Sequence, residues 1–139
     1  MTTPTGAKVN LFGRHSAEYR GLYKKRQLFA YDKGFPYLNS EDWTLVSKRM
    51  EMLEEQVVKS IDDDKLNQRY NEWLNVLDIR NNEMISNIYK YVDTNQCKKG
   101  LFLVGVEHRR QIMEKIPKFG NNHHLRVVWN FNYFNNKAG

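Results

Sequence analysis

Cysteine is almost missing from this chain of 139 residues: Cys97 stands alone. One thiol forms no intrachain disulfide, and its usage suits a reducing compartment. It sits in the polar stretch NQCKKG, where no local signature marks a nucleophile. Long apolar runs are missing too. No segment approaches the roughly 20 residues that a bilayer-spanning helix needs, and the mean hydropathy is -0.76, so no membrane partner is expected. The opening MTTPTGAKVN has neither the basic start nor the apolar stretch of a secretory signal. A cytoplasmic location is therefore expected. Proline is scarce, with two of three residues falling before position 40 together with four of the eight glycines. Residues 1–39 accordingly read as an irregular segment that needs something to lie against.

What is present argues for a folded chain. Apolar residues make up 40% and aromatics 13%, enough to bury a core in one domain. The net charge of +6 favours phosphate, RNA or an anionic surface as a partner. Its distribution narrows that reading. Lys24-Lys25-Arg26 is the only triple basic run, and elsewhere bases and acids are interleaved as on a solvated face. With no recognition motif beside the charge, nucleic acid ranks below a protein as partner.

The region from residue 40 onward reads as a helix-rich α/β domain. Ser40 suits an N-cap, with Glu41 and Asp42 in the first turn. Trp43, Val46, Met50, Leu53 and Val57 recur at three- and four-residue steps, marking an amphipathic helix to about Ser60. Asp62-Asp63-Asp64 reads as the cap of the next helix rather than a metal site. That helix carries Leu66, Tyr70, Trp73, Leu74 and Leu77, then Met84, Ile85, Ile88 and Val92. It is either one long helix or two with a break near Asn81-Asn82. The period then changes. Leu101–Val106 is a continuous apolar run, as in a strand buried on both faces. Ile112, Met113 and Ile116 mark a short helix closed by Pro117, and LRVVWNF, residues 125–131, reads as a second strand. The expected fold is thus α/β: a helical segment followed by a strand-helix-strand unit, part of a larger or incomplete mixed sheet.

In such sheets, ligands bind beyond the carboxyl ends of the strands. Gly105-Val106-Glu107-His108 occupies that position. His108 there can act as a general base or bind a metal, and Glu107 adds a carboxylate. Gly105 lets backbone approach a ligand, and Arg109 with the following amides favours an anion. Arg80 and Asn81 interrupt the apolar face of the second helix and come near the same side. An ion pair of Arg80 with Asp78 or Glu83 competes with a substrate-orienting role. His15, in FGRH, is a candidate to share the site, whereas His123-His124 lie in an Asn-rich turn and read as loop surface.

The order Arg80-Asn81-x-x-Met84 followed by LFLVGVEH resembles the C-terminal portion of the TraB/Tiki/erythromycin-esterase group of G-x-x-H proteins. The likeness covers about residues 30 to 116, with its specific part between Asp78 and His108, and extends to uncharacterised bacterial proteins of this kind. It implies an α/β protein with two pseudo-symmetric halves and an esterase or metal-dependent peptidase activity. His108 would be the site histidine, Gly105 its turn glycine and Arg80 a substrate-orienting residue. A divalent metal on His108 is implied by some members of the group. A full member has a second G-x-x-H in its N-terminal half, for which FGRH is an imperfect substitute. The chain is therefore expected to be a C-terminal half with little activity alone, paired with a missing N-terminal half or a second copy. The alternative is a non-enzymatic basic module that binds a protein or RNA.

Overall fold

The computed structural model describes residues 4–119 and 127–131. Every element among them is helical: α1 Pro4–His15, α2 Ala17–Lys33, α3 Phe35–Leu38, α4 Glu41–Ile61, α5 Asp64–Asn95 and α6 Val106–Lys115, followed by a 3-10 turn at Ile116–Lys118. The chain divides into two compact units, one within residues 1–70 and the other within 71–131. The first turns of α5 belong to the first unit and the rest of that helix to the second.

The first unit is built on α1, α2, α3 and α4. Ser16 separates α1 from α2 and caps α2, its hydroxyl accepting from Tyr19 N–H at 3.1 Å. Ser40 does the same for α4, accepting from Trp43 N–H at 3.1 Å, with Glu41 and Asp42 beside the helix dipole. The α4 stripe packs Met50, Leu53, Val57 and Val58 against Phe12 of α1 and Tyr19 of α2. The segment read as irregular is therefore helical from Pro4 to Leu38, because its sparse apolar residues meet a prepared face on α4. The break after α2 falls at Gly34, whose φ of 59° is a conformation that glycine adopts without strain.

Two of the three aspartates act as caps, and Asp64 opens α5 as an acid in its first turn. Asp62 ends α4 in the left-handed region, and Asp63 Oδ1 accepts from Leu66 N–H at 2.7 Å to open α5. α5 then runs unbroken through Asn81 and Asn82. The Asn81 side chain bonds to other residues rather than competing for its own helix backbone, so it causes no break there.

The second unit has its core at Ile85 and Tyr89 of α5 and Ile112 of α6, with Val104, Ile116, Phe119, Val127 and Phe131 packed against them. Neither expected strand is found, and the α/β reading with its strand-helix-strand unit is overturned. Residues 101–105 and 127–131 form no strand and no ladder among the described residues; positions 125 and 126 lie outside them. Val106, expected to end a strand, opens α6. The physical reason lies in burial. Leu101 and Leu103 are 78% and 81% exposed, while Phe102 is 37% exposed and Val104 half-buried. The run is covered on one side only, by helices. An apolar run becomes a strand only when a neighbour satisfies its backbone, and composition is silent on that neighbour.

Candidate functional site

Asn81 sits at the centre of the second unit, fully buried on α5. His108 lies in the first turn of α6, where its backbone N–H reaches the Gly105 carbonyl at 3.0 Å. The two side chains meet: His108 Nδ1 is 2.7 Å from Asn81 Oδ1. Asn81 Nδ2 in turn donates to Gln111 Oε1, one helical turn beyond His108 on the same face of α6. With its amide N–H engaged by Gln111, Asn81 offers His108 an oxygen. An oxygen accepts, so Nδ1 carries the proton and donates it. The tautomer is thereby set with the lone pair on Nε2.

The charge state follows from the surroundings. Burial pushes the His108 pKa below its ordinary value, the nearby Arg80 guanidinium pushes it in the same direction, and Glu107 opposes both. All else equal, the shift favours the neutral imidazole, whose Nε2 then carries the lone pair.

The remaining sequence candidates divide. Arg80 and Glu107 are exposed and act on His108 through their charge. Gly105 precedes α6, and an added Cβ would meet His108 Cδ2 at 3.7 Å, ordinary contact that leaves room for a side chain. Arg109 is held to the chain itself: its Nη2 donates to the Phe131 carbonyl at 3.1 Å, and burial lowers its pKa. Arg110 pairs with Glu114 at 2.8 Å. Asp78 serves Lys115 rather than Arg80, and Lys115 also donates to Asn82 Oδ1 at 2.9 Å. His15 ends α1 in the first unit, and His123-His124 lie outside the described residues.

Two participants escaped sequence reading. Gln111 follows His108 by three residues, which on a helix shares its face; that spacing was available as a signal. Lys115 carried no signal, because its partners on α5 are more than thirty positions away. As to a metal, the described residues contain no group of three or more His, Cys, Asp and Glu that could hold one. His108 Nε2 could supply one ligand at most, and the donor set of the described residues does not fit a divalent ion without ligands from elsewhere.

The triple basic run is also resolved. Arg26 is buried over the Trp43 ring at 4.5 Å and donates to Ser47 Oγ at 3.3 Å, so it belongs to the core rather than to a cationic surface. Trp129 and Phe131 behave likewise. Trp129 Nε1 donates to the Tyr89 hydroxyl at 3.2 Å and stacks on Phe131, making them a packing segment of the second unit.

No helix of the described residues is long and apolar enough to cross a membrane. The likeness to the G-x-x-H group finds no support in a family model, and the α/β fold it implies is not the one observed. Searched against family models, curated proteins and solved structures, the chain matches none.

Proposed function

We propose that this chain carries a hydrolytic half-site in which His108 Nε2 is the general base, with low activity until a second body supplies the rest. The observation that carries the reading is the bond of buried Asn81 to the half-buried Gln111, which holds the imidazole with Nδ1 protonated and the lone pair on Nε2. A base that takes a proton from water or a substrate hydroxyl becomes an imidazolium. Asn81 Oδ1 then stabilises the proton on Nδ1, and Glu107 adds a favourable charge. Arg80, exposed beside the histidine, is suited to orient a carbonyl or carboxylate of an ester or amide substrate. No acid and no second ligand is assigned among the described residues, which is why a partner half or a second copy enters the proposal. The competing reading, a basic binding module, is weakened by Arg26, whose charge is turned into the core.

An activated ester such as p-nitrophenyl acetate needs only one good base, so it tests the half-site by itself. The purified chain should hydrolyse it slowly, with a rate that rises with pH and reaches half its maximum below the ordinary histidine value. His108→Ala should remove that turnover, and Asn81→Leu should reduce it and shift the profile. An unchanged rate in His108→Ala would refute the assignment.

A further inference from the structure

The hydrogen bonds that fix His108 all run in one direction. Nδ1–H of His108 donates to Asn81 Oδ1, and Asn81 Nδ2 donates to Gln111 Oε1. Gln111 Nε2 comes next, and it is again a donor. No group of the protein accepts from it, yet it is not sealed inside the fold. The chain of donors therefore leaves the protein as an N–H, and whatever meets it must accept.

Gln111 lines a cleft of about 460 Å³ between α5 and α6, large enough for a small organic molecule. Every residue of its wall belongs to the second unit. The acids of the wall already have cations. Asp78 accepts from Lys115, and Glu114 lies 2.8 Å from Arg110. Lys118, exposed on the 3-10 turn, has no acidic partner among the described residues. The wall thus offers one uncompensated positive charge, an amide donor and the apolar flank of Leu74. One excess charge suits a monoanion better than a doubly charged phosphate, and a carboxylate oxygen is the acceptor that the amide N–H requires. We propose that this cleft binds a small organic carboxylate, held by Gln111 Nε2 and Lys118 with its hydrocarbon part along Leu74, and that its binding is relayed to His108. An anion on Gln111 polarises the amide, which strengthens the bond from Asn81 and in turn the bond from His108 Nδ1. The inference rests on the tautomer assigned to His108 and not on its acting as a base, so ester turnover does not decide it.

Titration of the full chain with benzoate, followed by proton–nitrogen correlation spectra, tests this. The Gln111 side-chain amide and the His108 ring nitrogens should move together and saturate. Benzamide, of the same shape without the charge, should leave both in place. Lys118→Gln should weaken binding about fivefold, as for one exposed ion pair. Lys99→Gln, at another exposed cation of the second unit, should not weaken it. Gln111→Glu is the sharper variant: one oxygen still accepts from Asn81, while the other replaces the donor with a negative charge. That chain should keep the proton on His108 Nδ1 and lose benzoate. An unchanged far-UV spectrum checks that the variants fold. No saturating shift, an equal response to benzamide, or full affinity in Gln111→Glu overturns the proposal. So does a Gln111 shift that leaves the His108 ring unmoved. Tighter binding of inorganic phosphate than of benzoate overturns it in favour of phosphate.

Discussion

Replacing Asn81 with leucine isolates the contact on which the His108 reading depends. The two side chains share the same branched heavy-atom skeleton, so the buried site stays filled. What disappears is the amide: the bond from His108 Nδ1 and the bond to Gln111, each with a net value of about 1 kcal/mol. Gln111 and His108 are both half-buried, so their released groups recover water only in part. That adds about 1 kcal/mol. The total loss is about 3 kcal/mol, read as a fall in the urea midpoint with the slope unchanged. The same variant reports on the tautomer. Long-range proton–nitrogen correlation on the wild-type chain should show Nδ1 protonated and Nε2 bare at neutral pH, and Asn81→Leu should lose that preference. Acid adds a third measure. Because burial and Arg80 lower the folded pKa of His108, its contribution to stability is full above the ordinary histidine value. It is lost as pH falls through the lowered one. A wild-type imidazole protonated at Nε2 instead, or an Asn81→Leu chain as stable as its parent, would refute the reasoning.

Glu54, buried on α4, offers a second test in the other unit. Its carboxylate lies 2.8 Å from Lys8 Nζ and accepts from the Tyr19 hydroxyl at 3.1 Å, yet burial still pushes its pKa up. A raised pKa means that its contribution is full in acid, below the ordinary carboxylate value, and is lost as pH rises through the folded value. Glu54→Gln should flatten that dependence in urea titrations taken at successive pH values. Lys8→Met should destabilise by about 3 kcal/mol at neutral pH, and adding Glu54→Gln should restore most of it, as expected when a buried charge is left without its counterion. Arg26→Ala should cost about 2 kcal/mol through the lost contact with Trp43, while its retention on heparin should change far less than that of a Lys24→Ala/Lys25→Ala chain.

The helices from Ser40 to Asn95 were legible in the sequence because their information is local. A capping serine, acids in the first turn and a stripe at three- and four-residue steps act within one or two turns of helix. The same local logic failed at both ends of the chain. Residues 4–38 have too few apolar side chains to announce a helix alone, and become one by packing Phe12 and Tyr19 on α4. LFLV has the composition of a strand but no ladder neighbour, and it lies along helices instead.

The site shows the same boundary. His108, Asn81 and Arg80 stood out as polar residues placed against apolar patterns, and sequence by itself could name them. It could not pair them. That Asp78 takes Lys115, leaving Arg80 to act on His108 by charge, was decided by the way α6 lies on α5. Most of all, only the tertiary structure sets the histidine's tautomer. The proton on Nδ1 depends on an amide 27 residues away, itself oriented by Gln111. Hydrogen bonds are directional and short, so their partners are determined in space, whereas apolar periodicity is averaged over a face and can be read along the chain.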